Sequence, residues 1–180
     1  MEHTKQESAT DNGSMRQNAS QRQGGAGDGD PHAPRRRGVS QELMSVFCGT
    51  WNISGHNAGS SPHAPDVPVT GVDRYEWMPG SFFVIGHFEH RFEEGAHEGT
   101  SIIGYDPDEQ TYFADNFDNL GFHRRYRLVV RDRLWTFTGE FERAKLVFDE
   151  DGNEFTQTWE ISSDGRDFRP LCELRGSKVP

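Results

Sequence analysis

The sequence predicts an all-β protein, a closed up-and-down barrel of about ten antiparallel strands. Three observations lead there. Apolar and polar residues alternate along most of the chain after Phe47, the pattern of strands with one face buried. The alternation is broken every 8–12 residues or so by "MPGS", "EEGAH", "DPDE", "FDNLG", "DEDGN" and "SDGR", whose Pro, Asp, Asn and Gly reverse the chain. These links are short, which suits a meander and not a Greek key. A meander of that many strands leaves two bare edges unless it closes on itself. No internal repeat of about 20–50 residues is visible, so neither a propeller nor a solenoid is expected.

Residues 1–39 are expected to form a disordered tail. Met1 to Gly38 contains no Leu, Ile, Phe, Tyr or Trp, so it cannot bury enough apolar surface to offset the entropy of ordering. The tail ends in Arg35, Arg36 and Arg37, read as solvated charge. Next, "SQELMSVF" (Ser40–Phe47) is expected to be one helical turn plugging a barrel end. It lacks a full capping box, because Leu43 stands three residues after Ser40. The barrel domain then spans residues 40–178. A domain of that size buries about two thirds of its unfolded surface, enough for a core without metal or disulfides.

Strands are expected at Val46–Ser54, Val67–Met78, Phe82–Phe92, Glu98–Tyr105, Gln110–Asn116, Phe122–Val130, Leu134–Gly139, Arg143–Phe148, Glu154–Ser162 and Asp167–Arg175. One long link, "GHNAGSSPHAPDVP" (Gly55–Pro68), joins the first two and is a candidate lid.

The formal net charge of −10 argues against nucleic acid and anionic membranes as partners, because both are bound by clustered Lys and Arg. No apolar run approaches the ~18–20 residues of a membrane helix, and no apolar signal region stands at the start. Cys48 and Cys172 are too few for a disulfide scaffold. A cytoplasmic protein is expected.

Four stretches in order, "FCGTWNISG", "YEWMPGSFFV", "GTSIIGYDPDEQTYFADNFDNLG" and "WEISSDGRDFRP", resemble the bacterial family called "domain of unknown function 1579". The likeness covers residues 45–176, and the Ile102–Tyr112 hairpin is its most specific part. Gly49-Thr50-Trp51 is also similar to the Gly-x-Trp signature of calycins, the group of lipocalins, fatty-acid-binding proteins and nitrobindins. The resemblance implies a calycin-like barrel with an internal cavity and supplies no activity. It also implies that Trp51 fills the closed end with an Arg from the last strand lying across it, Arg175 first and Arg169 second. Burying such an indole is worth roughly 4–6 kcal/mol as an upper figure. Nitrobindin-like haem binding would need a His near the last strands. No His follows His123, so no haem or other cofactor is expected.

Chemistry-bearing residues are few. His56 and His63 lie in the long link, leaving His87, His90, His97 and His123. His87 and His90 fall on opposite faces of one strand and cannot share a metal, and no Cys-x-x-Cys or His-x-His pattern occurs. "DEDGNE" (Asp149–Glu154) lacks the Gly of a calcium loop and reads as a hairpin turn. No nucleophile elbow or phosphate-cradling loop is present. Regular alternation would turn Cys48 away from Trp51 and Cys172 away from Arg175, placing both outside the cavity.

Both faces of "FFVIGHFEHRF" (Phe82–Phe92) begin apolar, so parity leaves the inner face open. If Phe83, Ile85, His87, Glu89 and Arg91 line the cavity, His87 and Glu89 form an acid–base ladder; otherwise they are a solvated charge ladder. In "FHRRYRLVV", Arg124 and Tyr126 share a face and suit a carboxylate or phenol inside an apolar barrel.

The leading functional expectation is binding of a small, largely apolar molecule by Tyr75, Trp77, His87, Phe113, Arg124, Tyr126, Trp135 and Trp159, with Gly49, Trp51 and Arg175 closing the barrel end. One rival is a cofactor-free lyase, isomerase or cyclase using His87 and Glu89. Another is a protein-interaction module without a small ligand. The homodimer is left open, and no metal site is expected.

Overall fold

Helical residues come first in the computed structural model, which describes residues 33–58, 65–93 and 95–180. Val39–Leu43 form helix α1, and Met44–Phe47 continue as a 3-10 turn. The N-cap is Gly38, two residues before Ser40, and the Oε1 of Gln41, three residues after that cap, accepts the Gly38 N–H at 2.9 Å. Helix α1 buries nothing, whereas the 3-10 turn buries Met44 and Phe47. Phe47 packs edge-on against Trp135 and Phe148. The plug expected of this segment is therefore its second half.

Ten strands follow: β1 Gly49–Asn57, β2 Val67–Trp77, β3 Phe83–Phe92, β4 Gly95–Asp106, β5 Thr111–Asp118, β6 His123–Arg131, β7 Leu134–Thr138, β8 Glu142–Phe148, β9 Glu154–Ile161 and β10 Arg169–Lys178. Each pairs antiparallel with the next, and β1 pairs with β10, so the meander closes as a barrel. Closure leaves no edge, as the sequence demanded. The turns use the residues that reverse a chain cheaply. Gly80, Gly121, Gly152 and Gly165 all have positive φ, and Asp149 Oδ1 accepts the N–H groups of Asn153 and Glu154. The "DEDGNE" stretch is thus a hairpin turn.

Three strands differ most from expectation. The 3-10 turn takes Val46 and Phe47 out of the first strand, which runs on to Asn57 instead. This shortens the long link to residues 58–66. Its middle, 59–64, and the tail through residue 32 lie outside the described residues, as do His63 and the candidate lid. Strand β4 starts at Gly95, because Phe92 pairs with Gly95 across a tight turn. Strand β10 continues through Gly176, Ser177 and Lys178, paired with Ile53, Asn52 and Trp51.

That last extension decides the closed end. Trp51 is 1% exposed, donates its indole N–H to the Phe47 carbonyl at 2.8 Å, and packs on Phe148 and Phe155. The cation over its ring is the Lys178 ammonium, 5.1 Å from the centroid. Arg175 is exposed on the outer face and Arg169 is exposed beyond the register shift of β10, so the Arg stack implied by the resemblance is replaced by a Lys three positions after Arg175. Gly49 now has a physical reason. Its φ is +133°, and a Cβ there would come within 2.5 Å of Lys178 Cε.

Around this plug the inward side chains are fully packed. Val84, Ile103, Leu128, Trp135 and Leu146 are all buried.

Candidate functional site

Strand parity sets the inner wall. On β3 the inward set is Val84, Gly86, Phe88, His90 and Phe92, shown by burial of Val84 and by the contacts of the rest. A Cβ at Gly86 would strike the Tyr75 ring, one at Gly71 the Glu89 carbonyl and the His90 ring, and one at Gly99 the Phe117 carbonyl and the Phe88 ring. Each glycine therefore makes room for an inward aromatic on the neighbouring strand.

Moving away from the plug, the wall becomes polar. His90 Nε2 bonds Asp73 Oδ1 at 2.9 Å, and Asp73 is buried. His97 stands opposite His90 on β4 and reaches Asp118 Oδ2 at 3.3 Å. Phe88 contacts both imidazole rings, at 5.7 and 5.1 Å. Ser101 donates to Asn116 at 2.7 Å. Arg124 bridges Asp118 at 2.5 Å and Glu142 at 3.1 Å, and Tyr126 donates its hydroxyl to Glu142 at 2.5 Å. Tyr126 and Phe137 also pack against Trp159.

The electrostatics follow from these partners. Burial opposes charge on Asp118, but the N–H groups of Phe122 and Leu120 and the His97 and Arg124 side chains outweigh it. The carboxyl is held below the ordinary carboxylate value. Its Oδ1 ties the β5–β6 turn while its Oδ2 faces Arg124. Burial pushes the Tyr126 phenol up, and the Glu142 carboxylate that accepts its hydrogen bond adds to the effect. Burial likewise raises the Tyr75 phenol, with the Asp73 charge contributing. Both phenols stay protonated across the neutral range.

Of the residues expected to line a cavity, Arg124, Tyr126 and Trp159 come together here. Tyr75 and Trp135 face inward but belong to the plugged half, where each packs against Phe47. Trp77 lies at that end beneath the Arg37 guanidinium, 4.5 Å from its centroid. Phe113 is on the outer face, against Phe83 and Arg125. His87 is outside as well. Its Nδ1 meets Thr100, and it lines a shallow outer groove of about 410 Å³ with Arg74, Glu89 and Glu98. Glu89 pairs with its neighbour Arg91 on that same outer face. The His87–Glu89 acid–base ladder is therefore the solvated alternative, and it cannot serve a reaction inside the barrel.

Cys172 is the converse correction. It shares the inner face with Leu174 because Arg175 points out, and burial drives its thiol up to about 12. Cys48 packs partly against the core and is raised by burial too.

The sequence reading missed Asp73, His90, His97, Asp118 and Glu142. One signal could have found the His pair. A tight turn between Phe92 and Gly95 places His90 and His97 directly opposite, so both must share one face.

Among the described residues, no cluster of three or more His, Cys, Asp or Glu is placed to hold a metal ion. No helix among them is long and apolar enough to cross a membrane.

Solved structures share the fold, two of them over about 80% of this chain. The crystal structure of Rv2717c from M. tuberculosis superposes with a TM-score of 0.59 at 10% identity, covering 81% of this chain and 100% of that one. The S-type phycobiliprotein lyase CPES from Guillardia theta gives a TM-score of 0.51 at 10% identity, covering 80% of this chain and 94% of that one. At such identity the likeness is one of fold. No curated protein matches the sequence. The model of the family described as "Protein of unknown function (DUF1579)" matches residues 38–165, from the helical plug through β9, and the chain belongs to that family.

Proposed function

We propose that the protein binds a small, largely apolar molecule in the half of the barrel away from the plug. One observation carries this reading. Inward side chains near the plug are buried, but Phe88, Phe92, Trp159, His97 and Arg124 face inward in the other half and keep solvent access, His97 and Arg124 at 35% and 31%. The inner wall there mixes solvent-accessible aromatic surface with a few fixed polar groups, the usual make-up of a small-molecule site. The fold shared with a protein named as a phycobiliprotein lyase is in keeping with this.

The polar end of the ligand is better matched by a phenol than by a carboxylate. Arg124 already serves two carboxylates, so an incoming anion would have to displace Asp118 or Glu142. A hydroxyl can join the network as donor and acceptor without importing charge.

The test is titration of Trp emission with 2-naphthol and with 2-naphthoate. The expected result is saturable quenching with a micromolar Kd for naphthol, about −8 kcal/mol, and weaker binding of the acid. Trp159→Phe should remove most of the quenching. Absence of saturable binding for both probes would overturn the proposal.

A further inference from the structure

We propose that the inner wall carries a proton-transfer centre in which His90, held by Asp73, is the base acting on the bound molecule. This rests on the binding reading above.

Two His–carboxylate pairs stand side by side, and they are not equivalent. Asp118 is already engaged by two backbone N–H groups and by Arg124, and its contact with His97 is long at 3.3 Å. Asp73 has no such competition. Among the described residues its side chain meets one hydrogen-bond partner, His90, at 2.9 Å. An ionised carboxylate only accepts, so the Nε2 of a neutral His90 must carry the hydrogen. That fixes the tautomer with the lone pair on Nδ1, which has no hydrogen-bond partner among the described residues. A carboxylate that sets the tautomer and then stabilises the imidazolium is the arrangement of a general base.

His90 also sits where a ligand would be. Its side chain is 14% exposed and shares the wall with Phe88 and Phe92, against which a flat apolar body can lie. Charged groups on other strands are paired off. Arg124 is bound to Asp118 and Glu142, and of the two imidazoles on the wall His90 is the one oriented by a carboxylate with no other side-chain partner among the described residues. The fitting substrate class is an apolar, planar molecule with a C–H made acidic by a neighbouring electron-withdrawing group. His90 takes that proton and can return it elsewhere, so an isomerisation or an elimination needs no co-reactant.

The test uses 5-nitro-1,2-benzisoxazole, a planar probe with one acidic C–H. In its ring opening the C3 proton passes to His90 Nδ1 and the C–H electron pair completes a nitrile. The N–O bond breaks, and its pair leaves on a coloured phenolate. The imidazolium then gives its proton to water. Binding is followed separately by Trp159 quenching.

The expected result is saturable turnover above buffer, lowered about 100-fold or more by His90→Gln. Gln keeps an N–H for Asp73, so this variant should retain the fold, checked by circular dichroism; His90→Ala is the second variant. Asp73→Asn should lower kcat about tenfold with KM unchanged, since Asp73 is a positioning residue that the probe does not touch. His87→Gln, on the outer wall, should change nothing. Quenching without turnover, or turnover that survives both His90 variants, would overturn the inference and leave the binding reading standing. Absence of quenching as well as turnover would overturn both.

Discussion

Arg124→Met separates charge from packing in the inner wall. The substitution keeps most of the stem but removes the guanidinium that bonds Asp118 at 2.5 Å and Glu142 at 3.1 Å. Removing one partner of a buried ion pair costs about 3–5 kcal/mol. That figure must be reduced here. Arg124 is 31% exposed, Asp118 keeps two backbone N–H donors, and Glu142 keeps the Tyr126 hydroxyl. We expect a loss of about 2 kcal/mol at pH 7, on the same scale. Urea unfolding across pH 7 to 3 reads the sign. Asp118 is held below 3.8 in the fold, so its contribution is complete above that value and fades as pH falls through its lower folded value. Arg124 supplies part of this depression. The gap between the natural protein and the variant should therefore be full at pH 7 and shrink below about pH 4. A gap that stays constant to pH 3 would assign the loss to the Phe122 ring stacked on the guanidinium, not to charge. A gap under about 0.5 kcal/mol at pH 7 would mean the pair behaves as a surface one.

Two further outcomes are expected. Trp51→Ala should destabilise by about 3–5 kcal/mol in urea unfolding, and Lys178→Met by less, with the pair falling short of additivity because the two side chains touch; strict additivity would break that contact. Cys172, with its thiol near 12, should resist a disulfide reagent at pH 8 in the native protein and react within seconds in denaturant; rapid native labelling of Cys172 would contradict its inward placement.

The β2–β3, β4–β5, β5–β6, β8–β9 and β9–β10 turns were legible because their residues have their own mechanism. The inner face was not, and the reason is local. On β3 both faces start with apolar residues, and the deciding information is the pairing of Phe92 with Gly95, which sequence alternation does not encode. The last strand failed for a different reason. "GSK" has little strand propensity, so the expected last strand stops at Arg175, and only pairing to β1 and β9 makes the next residues strand. Lys178 was lost as the partner of Trp51, and a register shift between Pro170 and Cys172 moved the inward set to Cys172, Leu174 and Gly176. Arg124, Tyr126 and Trp159 were recoverable because their strands carry clean alternation. Asp73, Asp118 and Glu142 were not, since an acidic residue among apolar neighbours reads as exposed until its partner on another strand is known.

The β1–β10 seam has a kinetic consequence. Every other pairing joins neighbours in the chain and can zip from a hairpin, but the seam joins the two ends of the meander. A refolding chain must hold an open, curled sheet with two bare edges until Lys178 finds Trp51. The late step is thus the one that seats the indole. Trp51 fluorescence should report barrel closure, lagging the far-ultraviolet signal of strand formation. Because Trp51 and Lys178 are paired, linking residue 180 to the helical plug at residue 38 and reopening the chain at the exposed Asp108 turn would bring the two seam strands close in sequence, and the lag should shorten.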